Sequence, residues 1–206
     1  GIDLNNILGL HYYASDQFHW WQCVTYMFMH GNFMHLFSNM FSLYMFGRLL
    51  EMVWGENRFA IYYLFTGIGA AIIQQLAWRY EMVNHVAQYA VHPEFAEQIR
   101  SMTYSEIINL EGVPELLNHL VTVGASGSVF GILLAFGMMF PDAEILLLFP
   151  PIPMKAKWLV IIYGAFELFA GVGNYQPGIA HYAHLGGMLF GFLLIMFWKK
   201  HRNYDF

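Results

Sequence analysis

The chain has 206 residues, of which 58% are hydrophobic, 18% aromatic and only 11% charged. A soluble globular domain averages about 45–50% apolar and about 25% charged residues, so this composition excludes an ordinary water-soluble domain and points to a chain solvated by lipid. The formal net charge of −5, with no long basic run, excludes a surface that tracks a nucleic-acid backbone, and Cys23, the single cysteine, excludes an internal disulfide and a cysteine metal site.

Residues 1–13 carry neither the basic flank nor the apolar run of a signal peptide. Residues 5–26 hold Tyr12, Tyr13, Phe18, Trp20, Trp21 and Tyr26. Trp and Tyr favour the membrane–water boundary, so the segment reads as a loop lying in the outer interface. A bilayer core asks for about 20 mostly apolar residues per helix, and five stretches qualify: 33–54, 59–78, 125–140, 158–172 and 181–198. Between the second and third lies the most polar part of the chain, with six of the fourteen acidic residues. There 81–100 and 104–120 show mixed helical periodicity, split by Pro93 and Pro114. We read 79–123 as an outer-face insertion of short amphipathic helices. The expected fold class is all-α, a polytopic transmembrane helix bundle of five helices forming one domain over 1–206. The absence of internal repeats and of a charged pore-lining series argues against a transporter or channel.

Lys and Arg collect in cytoplasmic loops. Arg48, Arg58, Lys155, Lys157, Lys199, Lys200 and Arg202 fall on one side of the five stretches, and Arg79 and Arg100 on the other. The expectation is a multi-pass protein of a bacterial cell membrane with a cytoplasmic C-terminus. Five spans then place Gly1 outside, which suggests a further helix upstream of it.

Ionisable and polar residues at membrane depth mark function by default. Here these are His35, Asn39, Glu51, Ser126, Glu167, His181 and His184. Ser126, in Gly124-Ala125-Ser126-Gly127, stands where a loop enters a helix. The free amides of a helix start would stabilise an oxyanion forming beside it. The plainer alternative is that Ser126 only caps that helix. A nucleophilic serine requires a base. His184 lies in Ala183-His184-Leu185-Gly186-Gly187, followed by Gly191, and Ser126 stands just before Gly127 and Gly131. Small residues four apart let membrane helices approach closely, so packing one stripe on the other would carry His184 to Ser126. His181 is the competing base, expected at the outer rim. His35 and Asn39, four apart on one helix face, can donate to the oxyanion together with the Ala125 amide, whereas His30 is expected to order the preceding loop. Glu51 lies three turns beyond His35, out of reach of His184. Glu51 and Glu167 are assigned structural hydrogen bonds, and no Ser-His-acid relay is expected. A metal site would draw on the pairs His30 with His35 and His181 with His184, but the pairs lie on different helices and no acidic second ligand or His-Glu-x-x-His run supports it, so no metal is expected.

Taken in order, His30-Gly-Asn-Phe-Met-His35-Leu-Phe-Ser-Asn39, Gly124-Ala-Ser126-Gly127 and Ala183-His184-Leu-Gly-Gly187 resemble the motifs of the rhomboid family of intramembrane serine proteases. The likeness covers nearly the whole chain except 79–120. It implies a six-helix fold whose first helix would precede this chain, a Ser126–His184 dyad, and cleavage of transmembrane protein substrates near their outer membrane boundary. It implies no metal, no nucleotide and no other cofactor; the partners are the substrates and the lipid bilayer, with no nucleic acid. By the same likeness Glu51 supports the first loop, and Gly124, Gly127 and Gly187 support the site. Three features depart from the family pattern: Trp21-Gln22 replaces a common Trp-Arg pair, Phe130 stands where Tyr is frequent, and the insertion before Gly124 is long. Phe130 can still stack on His184. The loops 5–26 and 173–180, the latter with Gly173, Pro177 and Gly178, are the expected gates. Relatives that lack the serine or the histidine bind without cleaving; both residues are present here.

Overall fold

A computed structural model describes residues 3–90, 92–146, 152–173 and 180–201. The helices are α1 (Leu4–Leu8), α2 (Gln22–Thr25), α3 (Phe33–Ser42), α4 (Arg48–Trp54), α5 (Glu56–Ala87), α6 (Pro93–Arg100), α7 (Tyr104–Ile107), α8 (Val113–Leu117), α9 (Ser126–Met139), α10 (Ala156–Val172) and α11 (His181–His201). Two antiparallel ribbons join them: β1 (Leu10–His11) pairs with β2 (Val121–Thr122), and β3 (Glu144–Leu146) with β4 (Pro153–Lys155). The fold is thus helical with two short ribbons that hydropathy did not signal, because two- and three-residue strands carry no readable period. By length and apolarity α5 and α11 can each cross a membrane, and α9 is a shorter apolar helix.

Asn32 starts the helix at α3, its Oδ1 accepting from the His35 amide at 2.8 Å. A π-helical turn, Leu43–Gly47, joins α3 to α4, so one helical run covers the first apolar stretch. Gly55 at φ +80° ends it, a backbone conformation that glycine adopts without strain. The second stretch does not stop at Trp78: α5 has 32 residues, about 48 Å at 1.5 Å each, against a hydrocarbon core of about 30 Å. Its final turns persist because Met82 and Val86 pack with Tyr12, Ile107, Val113 and Leu117. The insertion therefore begins as a continuation of α5. Pro93 and Pro114 stand in the first turns of α6 and α8, where a missing amide hydrogen matters little.

At one end of the bundle Leu50, Trp54, Tyr62, Phe136, Ala156 and Ile195 form a core, and Trp54 and Trp198 meet edge to face at 5.5 Å. This gathers the α4–α5 turn, the start of α10 and the end of α11, with their Arg and Lys residues, on the same end. Asp142 there receives Lys157 at 2.8 Å and Lys155 at 3.1 Å, and the two ammonium groups hold its carboxyl below the usual carboxylate range. At the opposite end the first loop packs on the insertion. Tyr104 shares hydrogen bonds with Tyr12 and Tyr13 at 2.7 and 2.8 Å, and the Arg79 guanidinium lies 4.3 Å from the Tyr104 ring centroid.

Gln22, not an arginine, secures the first loop. It is wholly buried, its Oε1 accepting from the amides of His11 (3.3 Å) and His19 (3.1 Å). Its Nε2 donates to the carbonyls of Gln17 (2.9 Å) and Ile7 (3.2 Å). Glu51 is half-buried in α4, at the far end of its helical run, and no side-chain hydrogen bond joins it to this loop among the described residues.

The centre of the bundle is a close crossing of α9 and α11. A Cβ on Gly187 would collide with the Gly127 carbonyl, and one on Gly131 would strike Thr66 of α5 and lie 3.0 Å from the Gly187 carbonyl. Gly191 faces the Tyr62 hydroxyl rather than Gly131. Two outcomes follow. Gly187→Val should abolish the folded species in detergent, seen as loss of a monodisperse size-exclusion peak; a folded variant would refute the crossing. Gln22→Ala strands buried backbone groups and should lower unfolding free energy by about 1–3 kcal/mol, read as a lower thermal midpoint in the same detergent.

Candidate active site

The approach to α9 is held from the first loop. The Gly124 amide donates to the Tyr26 carbonyl at 2.9 Å, and the buried Tyr26 hydroxyl donates to the Gly67 carbonyl of α5 at 2.7 Å. Gly124 has φ +130°, and a Cβ there would lie 2.7 Å from His35 Nε2. Both the backbone angle and the imidazole therefore demand glycine. Ala125 is the N-cap residue and Ser126 the first residue of α9. The capping alternative thus fails for Ser126: its Oγ lies 2.8 Å from His184 Nε2 instead. Ser128, two residues on, is buried and donates to the Tyr63 carbonyl at 2.8 Å, which makes it part of the packing.

His184 sits in the first turn of α11, its ring stacked on Phe130 at 4.2 Å between centroids and 7° between planes. The stack fixes the plane of the imidazole, and the glycine crossing one turn further fixes its distance from Ser126. An open cavity of about 560 Å³ faces the pair, bordered by Asn32, His35, Ser38, Asn39, Ser42, Thr122, Ser126 and His184 among others. Its α3 side carries Asn32, His35, Ser38, Asn39 and Ser42, while Val121, Val123, Val129, Phe130 and Ala180 contribute apolar wall.

His35 Nδ1 accepts from the Gly31 amide at 3.3 Å. The neutral ring then carries its proton on Nε2, the nitrogen that adjoins Gly124. The buried Asn39 spends one amide hydrogen on the His35 carbonyl at 2.9 Å and retains a second. The early amides of α9 have no partner inside the helix. His35, Asn39 and Ser126 line the same cavity. His30 meets the His35 ring edge to face at 5.1 Å, and its carbonyl accepts from Asn5 Nδ2, consistent with ordering the loop.

Two expectations require correction. His181 is not at the rim: it is buried, its Nδ1 lying 2.6 Å from Glu167 Oε2. Nor is His184 without an acid beside it: Glu167, assigned a structural hydrogen bond, makes one with His181 and also places Oε2 3.0 Å from His184 Nδ1. That contact is within ion-pair range, although Nδ1 lacks an aligned hydrogen bond. Sequence spacing did not reveal it because Glu167 reaches His184 from α10, a different helix. Glu167, His181 and His184 bring their ligand atoms within 4.8 Å of one another, so an acidic neighbour that chain order does not reveal exists in space. The 2.6 Å contact nonetheless suits a hydrogen bond better than a metal. Two ligands of a tetrahedral ion with bonds of about 2.0–2.2 Å stand about 3.3 Å apart. Of the loops expected to act as gates, 5–26 is anchored by Gln22, while 174–179, with Pro177 and Gly178, lies outside the described residues.

A profile of the rhomboid domain matches residues 17–201. The chain is 29% identical over 200 residues to rhomboid-like protein 11, chloroplastic, of Arabidopsis thaliana, covering 88% of this chain and 53% of that protein. It is 28% identical over 166 residues to rhomboid protein 1, mitochondrial, of Saccharomyces cerevisiae, covering 81% and 38%. A Bacillus subtilis protein provisionally named as a rhomboid protease is 26% identical over 189 residues, covering 90% and 71%. The chain thus spans about half or less of the first two relatives, and the relatives come from plant, fungal and bacterial sources. No solved structure gives a significant match. With the profile running from the first loop to the end of α11, the chain belongs to the rhomboid family of integral membrane proteins.

Proposed function

We propose that this chain is an intramembrane serine endopeptidase that cleaves transmembrane protein substrates near their outer membrane boundary by a Ser126–His184 dyad. The observation that carries the reading is the 2.8 Å contact between Ser126 Oγ and His184 Nε2, made at the head of a helix and beside an open cavity. Family membership supports peptide-bond hydrolysis as the chemistry. The five-helix span assignment, the insertion over 79–123 and the cytoplasmic C-terminus belong to the same proposal. The gathering of the Arg- and Lys-bearing turns at one end of the bundle supports that orientation.

The steps are those of acyl transfer. His184 Nε2 takes the Ser126 proton as Oγ bonds to the scissile carbonyl carbon, and the carbonyl electron pair moves onto oxygen. The Ala125 and Ser126 amides, His35 Nε2–H and the free Asn39 hydrogen hold that oxyanion. The C–N bond then breaks, and the His184 proton goes to the departing amine. Water from the cavity, activated by His184, attacks the acyl-serine and regenerates the hydroxyl. Gly124, Gly127 and Gly187 support the pair by permitting the close approaches on which it depends. Nothing in this sequence calls for a metal or cofactor.

A fluorescent fluorophosphonate that acylates activated serines should label the folded protein in detergent. Ser126→Ala and His184→Ala should each lose that labelling, with size-exclusion profiles unchanged; labelling that survives Ser126→Ala would sink the assignment. On a transmembrane-segment peptide that the wild type cleaves, Asn39→Ala should lower kcat by about 10²–10³-fold with KM nearly unmoved. An unchanged kcat would remove Asn39 from the oxyanion site.

A further inference from the structure

We infer that Glu167 is a positioning residue for His184, sharing one carboxylate oxygen between His184 and His181 so that the base of the dyad is oriented from a third helix. The inference rests on the Ser126–His184 reading and adds to it. Glu167 Oε2 lies 2.6 Å from His181 Nδ1 and 3.0 Å from His184 Nδ1, and all three side chains are nine-tenths or more buried. A carboxylate enclosed in a membrane bundle without a cationic or hydrogen-bonding partner is costly. This one has two imidazoles, one turn apart on the same face of α11.

The geometry assigns a chemical role because the two nitrogens of His184 face different groups. Nε2 faces Ser126 Oγ, and Nδ1 faces Glu167. A carboxylate beside Nδ1 favours the tautomer with its proton there, which leaves the Nε2 lone pair free to take the serine proton. When Nε2 is protonated, the ring becomes an imidazolium opposite a carboxylate, with no proton passing to Glu167. His181 holds the same oxygen from one turn earlier on α11, so the carboxylate cannot rotate away from His184 without breaking a hydrogen bond. The other groups facing His184 are Ser126 from α9 and, across the cavity, His35 from α3. Tyr163 of α10 stands behind the Phe130 ring, and α5 meets this part of α11 through Ala70 and Ile73. Glu167 is thus the carboxylate beside the base.

The contact to Nδ1 is short but not aligned, so its effect should be smaller than the roughly 10⁴-fold loss seen when the aligned acid of a serine-protease triad is amidated. The test is the second-order rate of fluorophosphonate labelling of Ser126 against pH, in detergent, for wild type, Glu167→Gln, Glu167→Asp and His181→Phe. Labelling needs the neutral base, so it rises with pH. Removing the neighbouring negative charge in Glu167→Gln should slow labelling at its plateau by at least about 10-fold and move the rising limb to lower pH. Glu167→Asp retains the charge and should keep the limb near its wild-type position. His181→Phe leaves the carboxylate to His184 alone and should move the limb to higher pH. A role confined to helix packing would reduce the amount of folded protein and leave the limb in place. An unmoved limb with a wild-type rate in Glu167→Gln overturns the inference while the dyad stands. If Glu167→Gln does not fold, an unmoved limb in His181→Phe overturns it. Wild-type protein that shows no Ser126-dependent labelling removes the dyad and this inference together.

Discussion

The backbone crossing of α9 and α11 at Gly127 and Gly187 governs the rest of the bundle. In lipid no hydrophobic force draws helices together, so contact must come from packing at close range, and packing at close range needs residues without side chains. Here a single Cβ on Gly187 would meet the Gly127 carbonyl. That approach sets the helix separation one turn from His184 and one residue from Ser126. A serine hydroxyl and an imidazole have little reach of their own, so a separation wider by a methyl group would break the 2.8 Å contact.

Around this crossing the molecule builds rigidity from unlike materials. Towards the cationic end, aromatic and aliphatic side chains interdigitate around Tyr62, Phe136 and Trp198. Towards the other end, hydrogen bonds take over. Gln22 ties four backbone groups of the first loop, Tyr26 bridges that loop to both α5 and Gly124, and the Tyr12–Tyr13–Tyr104 group fastens it to the insertion. The site lies between these two regions, with a stacked Phe130–His184 pair behind it and an open cavity in front.

The loop anchor shows how one function can be carried by different chemistry. A glutamine with one acceptor and two donor hydrogens satisfies two amides and two carbonyls within a buried turn without introducing a charge. Against the family pattern, the chain at this position shows only the loss of an arginine. The gain could not be seen, because the four partners are separated from Gln22 by differing intervals along the chain.

Composition and hydropathy by themselves determined that this is a helical membrane chain, since an apolar run of given length has few other stable forms in lipid. Local motifs likewise pointed to the candidate residues: glycine at 124, serine at a helix start, and histidine ahead of a glycine stripe are each legible because their meaning depends on neighbours in the chain. What only the tertiary structure decided are the relations between segments. The continuation of α5 beyond Trp78 depends on a cluster drawn from the first loop and from α7 and α8. The ribbons are too short to carry a period. The burial of His181 and the approach of Glu167 to His184 arise from the seating of α10 against α11, across an interval whose described ends are Gly173 and Ala180. Sequence spacing reports distances along one helix; it is silent on which face of another helix comes opposite, because that is chosen by packing.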